Sequence, residues 1–168
     1  MNWFERMKKG LKGGRKKEIP DGLWIKCERC GEIFYRKDLE DSLWVCKSCG
    51  YHFRIGYSEY IKILLDDGSF EEINPDITSA DPLDFEAKER YSDKIEKAVK
   101  SLGIKSAVVT GFGEMDGRRV AVGIMDFRFI GGSMGSAVGE KVPRLIDAAA
   151  AERTPLIIVS QSGGARMQ

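Results

Sequence analysis

Pro155-Leu156-Ile157-Ile158-Val159-Ser160-Gln161-Ser162-Gly163-Gly164-Ala165-Arg166 is a short aliphatic run that breaks into a glycine loop. A wholly apolar strand of this length belongs in a sheet covered on both faces. Upstream, Gly131-Gly132-Ser133-Met134-Gly135 leads into Val138–Glu152, where Val142, Leu145, Ile146 and Ala149 share one helical face. Pro143 suits a helix only in its first turn, so this helix is expected to start near Glu140. Before it, Ala107 to Phe112 and Arg118 to Phe127 are rich in Val, Ile and Phe and flank Asp116-Gly117, a hairpin signal. Strand, glycine loop, helix, buried strand, glycine loop is an α/β layer order. Such a strand and loop normally feed another helix, so the segment is expected to be the front part of a larger domain. Its sheet is expected to be unfinished, leaving Leu156 to Val159 without full cover.

Two further helices are expected nearer the N-terminus. Ser58 to Asp67 begins with a possible N-cap and carries Tyr60, Ile61, Leu64 and Leu65 at helical spacing. Residues 66–96 are acidic and contain Pro75 and Pro82, so the first half reads as loop. Phe85 to Leu102 then reads as a polar surface helix that stops at Gly103. The acidity is most simply a solvated face.

Composition sets the outer limits. The chain has 168 residues, 27 Lys+Arg against 26 Asp+Glu, 42% hydrophobic and 32% charged residues. This is a globular balance rather than a disordered or fibrous one. No apolar run approaches the roughly 20 residues of a membrane span. A net charge of +1 argues against a nucleic-acid binder acting through bulk charge. Residues 1–22 form a basic arm with no signal-peptide pattern, which points to the cytoplasm, where thiols stay reduced. The organisation read from the sequence is the arm at 1–22, a cysteine-rich segment at 23–56 and the α/β segment at 57–168.

The four cysteines fall in two repeats. Cys27-Glu28-Arg29-Cys30-Gly31-Glu32-Ile33-Phe34 recurs as Cys46-Lys47-Ser48-Cys49-Gly50-Tyr51-His52-Phe53. Leu23-Trp24-Ile25 and Leu43-Trp44-Val45 lead into them. Each Cys-x2-Cys turn aims two sulfurs at one point, and Gly31 and Gly50 permit the positive φ that such a turn needs. Two knuckles complete a tetrahedral zinc shell of Cys27, Cys30, Cys46 and Cys49, with iron as the minority option. A segment this short buries little core, so the metal is expected to hold it folded. With every position filled by protein, the site reads as structural rather than catalytic. His52 reads as packing or solvated, and Trp24 and Trp44 as packing around the metal hairpins.

The glycine loops admit two readings: backbone N–H groups that cradle an anion, or tight corners. Neither matches a dinucleotide or Walker-type pattern. Gly163-Gly164 sits at the carboxyl end of a strand, where open α/β sheets bind ligands. With one histidine and no spare cysteine, an enzyme built here would act through backbone donors and a chemically competent cofactor.

The zinc knuckles, Met125-Asp126-Phe127-Arg128-Phe129-Ile130-Gly131-Gly132-Ser133-Met134-Gly135 and Ser160-Gln161-Ser162-Gly163-Gly164-Ala165-Arg166-Met167-Gln168 together resemble the β subunit family of bacterial acetyl-CoA carboxylase carboxyltransferase. The resemblance implies a crotonase-like α/β fold, incomplete at the C-terminus, with an N-terminal four-cysteine zinc ribbon. It implies two α with two β chains, a biotin carboxyl carrier protein, biotin carboxylase and, for the assembled carboxylase, ATP binding. The implied reaction moves a carboxyl group from carboxybiotin on the carrier protein to acetyl-CoA, giving malonyl-CoA for fatty-acid synthesis. Carried onto this sequence, Cys27, Cys30, Cys46 and Cys49 bind one structural Zn2+. Gly163, Gly164 and Ala165 supply oxyanion-type backbone donors. Gly131, Gly132 and Arg166 lie at the CoA site. The family continues beyond residue 168 with a second glycine loop, so this chain alone is expected to be inactive. A different reading is a zinc-ribbon module that binds nucleic acid or a protein partner, with the basic arm and Trp24 and Trp44 in support.

Overall fold

The computed structural model describes residues 22–168, and the basic arm, apart from Gly22, lies outside the described residues. The chain divides into two compact units, Met1–Phe53 and Arg54–Gln168.

In the first unit, β1 (Trp24–Lys26) and β2 (Ile33–Tyr35) pair antiparallel, with Trp24 opposite Tyr35 and Lys26 opposite Ile33. A six-residue helix, α1 (Arg36–Asp41), follows and buries Leu39 completely. The second knuckle is closed by a single bridge between Val45 and His52. Trp44 is buried under the Arg36 guanidinium, which lies 5.2 Å from its ring centre. Trp24 differs from expectation. It is 61% exposed and meets Tyr35 edge to face at 5.6 Å, because strand alternation turns it to the open side of a two-stranded ribbon.

The second unit is built on a four-stranded sheet of β3 (Glu71–Ile73), β4 (Val108–Met115), β5 (Arg118–Met125) and β6 (Leu156–Val159), in that order. The first three strands are antiparallel neighbours, and β6 runs parallel to β5. The β4–β5 hairpin turns at Asp116-Gly117, both with positive φ (51° and 70°). Asp66 secures that turn by accepting from the Asp116 and Gly117 N–H groups at 3.1 and 2.8 Å. On one face, α2 (Tyr57–Leu64) lays Tyr60, Ile61 and Leu64 on Val120, Val122 and Ile124. On the other, α4 (Ser136–Glu152) lays Leu145 and Ala149 on Phe112 and Ala121. A third apolar cluster packs Leu102, Val99 and Ala98 of α3 (Tyr91–Leu102) around Val108, Met125 and Phe129.

Several element starts depart from the sequence reading. The helix expected from Ser58 is capped by Gly56, and Glu59 accepts from the Gly56 N–H at 3.2 Å. Helix α3 starts at Tyr91 rather than Phe85, because Asp81 accepts the Phe85 N–H and the Phe85 carbonyl accepts the Tyr91 N–H. Helix α4 starts at Ser136, four residues before Glu140, and Pro143 lies inside it. The hydroxyl of Ser79 accepts from the Ala137 N–H at 3.3 Å, a helix-end contact from 58 residues away. Strand β6 is an edge strand among the described residues, with Leu156 36% and Ile158 41% exposed, rather than covered on both faces. It lacks full cover, as the unfinished-sheet reading expects.

Candidate metal centre and active site

The repeat in the sequence is a repeat in structure. The Cys27 N–H donates to the Glu32 carbonyl at 2.7 Å and the Gly31 N–H to the Cys27 carbonyl at 2.9 Å. The same two bonds recur from Cys46 to Tyr51 and from Gly50 to Cys46, at 2.7 and 2.8 Å. Gly31 and Gly50 hold φ of 78° and 68°, which a side chain would strain. These turns bring the ligand atoms of Cys27, Cys30, Cys46 and Cys49 within 4.8 Å of one another. Cys27 Sγ lies 3.8 Å from Cys49 Sγ and Cys30 Sγ 3.7 Å from Cys46 Sγ. A regular tetrahedron with Zn–S bonds of about 2.3 Å has sulfurs about 3.8 Å apart, so the donor set fits zinc. His52 is exposed and stands outside the cluster.

The sulfurs differ in proton affinity when no cation holds them. Loss of solvent, with the thiols of Cys46, Cys30 and Cys27, pushes the Cys49 thiol up to about 12. Loss of solvent acts the same way on Cys46, but N–H groups of Cys49 and Ser48 and the thiols of Cys49 and Cys30 outweigh it and bring that thiol down to about 7. Four thiolates this close repel, and a divalent cation is what lets them coexist.

In the second unit, the two glycine loops are laced to each other. The Gly163 N–H donates to the Gly131 carbonyl at 2.9 Å, the Met134 N–H to the Gly164 carbonyl at 3.0 Å and the Arg166 N–H to the Met134 carbonyl at 2.9 Å. The approach needs Gly132. A Cβ there would stand 2.1 Å from the Gln161 carbonyl oxygen, and its φ is 64°. Ile130 precedes it with φ 49°, a strained value for a β-branched residue, so Ile130, Gly131 and Gly132 form a left-handed turn.

Of the proposed backbone donors, two are already engaged. The Gly163 N–H is held by Gly131, and the Gly164 N–H donates to Ser162 Oγ at 3.0 Å. The Ala165 N–H meets no acceptor among the described residues, because the Gly164 carbonyl and the Arg166 N–H on either side of it both turn towards Met134. Ala165 lines a cavity of about 580 Å³ together with Ile130, Ser133, Arg166, Tyr91 and Lys88. Gly131 and Gly132 do not line this cavity, although Ile130 and Ser133 on either side of them do. Arg166 lines it with its guanidinium already committed: Nε donates to Ser133 Oγ at 3.0 Å, Nη2 to the Ser133 carbonyl at 2.7 Å and Nη1 to the Tyr91 hydroxyl at 2.6 Å. Tyr91, 75 residues from Arg166, was outside any local sequence signal.

Beneath the first loop, Asp126 is completely buried. It accepts from the Tyr57 N–H at 3.1 Å, the Arg128 N–H at 2.9 Å and the Arg128 guanidinium at 2.6 Å. Burial opposes its ionisation, but Arg128 and the Tyr57 N–H more than offset that and hold the carboxyl below its usual range.

Two family models match the chain, one over each unit. Residues 24–49 match the acetyl-CoA carboxylase zinc finger domain and residues 57–168 the carboxyl transferase domain. The chain is 46% identical over 170 residues to the acetyl-coenzyme A carboxylase carboxyl transferase subunit beta of Prochlorococcus marinus (strain MIT 9303), covering 99% of this chain and 58% of that protein. It is 44% identical to the same subunit of Chlorobium phaeobacteroides, covering 99% of this chain and 60% of that one. The chain thus spans about three-fifths of the length of these relatives. Among solved structures, the transcarboxylase 12S core with hydrolysed methylmalonyl-coenzyme A bound is similar at a TM-score of 0.56 and 30% identity, over 68% of this chain and 20% of that one. The β subunit of P. aeruginosa geranyl-CoA carboxylase shares the fold at a TM-score of 0.50 and 20% identity, over 79% of this chain and 20% of that one. The carboxyl transferase domain match spans more than half of the chain, and the chain belongs to that family.

Proposed function

We propose that this chain contributes the acyl-CoA side of an acetyl-CoA carboxylase carboxyltransferase, the reaction that converts acetyl-CoA to malonyl-CoA. The observation that carries the reading is the Ala165 N–H, unengaged on a loop that lines the cavity and is fixed by three backbone bonds from the neighbouring glycine loop. A donor held in place before the reaction stabilises charge without reorganising. Ala165 is suited to the thioester oxygen as the α-carbon loses a proton and an enolate forms. Gly163 and Gly164, whose N–H groups are engaged, keep the loop in shape. Gly131 and Gly132 make its close approach possible, and Arg166 braces the wall. No side-chain base is needed on this chain if carboxybiotin, delivered by a carrier protein, supplies the carboxyl group, since the biotin ureido nitrogen that gives it up would take the α-proton.

The wider assembly is part of the same proposal: an α-type partner, a biotin carboxyl carrier protein, biotin carboxylase, a place in fatty-acid synthesis and residence in the cytoplasm. Among the described residues no helix is long and apolar enough to cross a membrane. The ATP binding expected of the assembled carboxylase has no Walker-type loop in this sequence to support it. Cys27, Cys30, Cys46 and Cys49 are proposed to hold one structural zinc, whose chemistry there is to fix the ribbon. The boundaries at residues 22 and 56 are likewise proposed.

Titrating the chain with acetyl-CoA while following backbone amide resonances tests the central claim. The expected result is a saturable shift largest at Ala165, with smaller shifts at Ile130 and Ser133. Shifts confined to the ribbon, or none at all at Ala165 under saturating acetyl-CoA, overturn it.

A further inference from the structure

Helix α3 reaches the glycine loops through one side chain. Tyr91 is its first residue and is only 3% exposed, although the residues on both sides of it are exposed. Its hydroxyl accepts from Arg166 Nη1 at 2.6 Å, and the guanidinium carbon lies 5.5 Å from its ring centre. The other two arms of the same guanidinium end on Ser133, one on the side-chain oxygen and one on the carbonyl. The Arg166 main chain also holds that loop, through the bond from its N–H to the Met134 carbonyl at 2.9 Å. Ala165 therefore sits on the short span between Gly164 and Arg166, both of which are bonded to Met134. The Ala165 N–H shares one peptide plane with the Gly164 carbonyl, so its direction follows from where Met134 is held, and Arg166 holds Met134 through its N–H and the adjacent Ser133 through its guanidinium.

Arginine presents its donors in a rigid planar fork, so its arms move as one body. Two arms on Ser133 leave the guanidinium free to pivot about that loop. The third arm, on Tyr91, belongs to a separate element and removes the pivot. The ring below supplies a face for the cation as well as a hydrogen-bond acceptor.

We propose that Tyr91 is a positioning residue for carboxyl transfer: by accepting the third arm of Arg166, it ties α3 to the paired glycine loops and fixes the direction of the Ala165 N–H in the cavity. The proposal rests on the reading of Ala165 given above and adds the residue that aims it. It touches no reacting atom itself. Its effect belongs in turnover more than in acyl-CoA affinity, since a misdirected donor weakens the enolate more than the bound thioester.

The Tyr91→Phe substitution keeps the ring and removes the acceptor. In the full chain, exchange of the hydrogen-bonded amides of Met134 and Arg166 is expected to speed about tenfold while β4 and β5 amides keep their protection. In an Arg166→Met background the same substitution is expected to add nothing, because its only route is through Arg166. In the enzyme assembled with its α-type partner, kcat is expected to fall about tenfold with the acetyl-CoA KM moving less than about threefold. Unchanged exchange at Met134 and Arg166, equal loosening of β4 and β5, additive effects with Arg166→Met, or a change in KM alone each overturn the proposal. If the unsubstituted assembly transfers no carboxyl group, the functional reading fails, and the exchange arm still decides whether Tyr91 controls the loop.

Discussion

Asp126 gathers donors from two distant pieces of chain: the Tyr57 N–H at the start of α2, and the N–H and guanidinium of Arg128 just after β5. Its carboxyl is held below the usual carboxylate range, so the folded protein binds that proton less tightly than the unfolded chain does. The stabilisation is therefore fully present above about pH 4 and is lost as pH falls through the lower folded value. Replacing Asp126 with Asn puts an amide NH2 among donors, with an expected loss of about 2 kcal/mol at pH 7. Urea melts of both proteins should show that gap closing towards pH 3. A gap that stays constant with pH would assign the loss to packing instead. Sequence alone marked Asp126 only as part of a motif, since Tyr57 lies 69 residues away. The cysteines were readable because a knuckle is local: two residues between sulfurs and a glycine after the second are enough to specify the turn. Tyr91 and Ser133 were not, because a hydrogen bond across the fold leaves no mark in spacing.

Helix α4 shows what periodicity conveys at the scale of an element. Of the expected face, Leu145 and Ala149 are buried and Val142 packs against the core, while Ile146 is 45% exposed at the margin of that face. What periodicity does not convey is where the helix begins. Proline is best tolerated in a first turn, which pointed to Glu140, but Ser79 caps the helix at Ala137 from a remote loop and extends it upstream. Pro143 consequently sits in the interior, where it donates no N–H to the Gly139 carbonyl. Its side chain is exposed, so replacing it with Ala removes no core contact and restores that bond. The expected gain is about 1–3 kcal/mol, read as a higher urea midpoint with an unchanged slope. A lower midpoint would mean that the proline ring shapes the start of α4 rather than merely interrupting it.

The two units keep their structure by different means. The unit from Arg54 has three apolar clusters spread over a four-stranded sheet. The ribbon buries little beyond Leu39, Trp44 and the two cysteines Cys27 and Cys46. A segment with so small an interior relies on a cross-link, and Cys27, Cys30, Cys46 and Cys49 are placed to form one through a metal ion. The hairpin and the last strand of the larger unit could be read from apolar runs and an Asp-Gly turn, whereas β3 at Glu71–Ile73 lies in an acidic stretch read as loop, because its pairing with β4 leaves no apolar run. The lacing of its two glycine loops could not, because it depends on the sheet placing them side by side. Removal of the metal separates the two sources of stability cleanly, since Trp3, Trp24 and Trp44 all precede Arg54 and tryptophan emission reports the first unit alone. A strong chelator at neutral pH is expected to release one zinc per chain and shift the emission of Trp44 towards that of solvent-exposed indole. The amides of β4 and β5 are expected to exchange as slowly as before. Cys30→Ser should reproduce that state without chelator, with less than one-tenth of the zinc retained, because three thiolates and an alcohol make a poorer soft-ligand set. If β4 and β5 lost protection along with the ribbon, the metal would be holding the carboxyl transferase unit together as well, and the division at Phe53 would not be an energetic one.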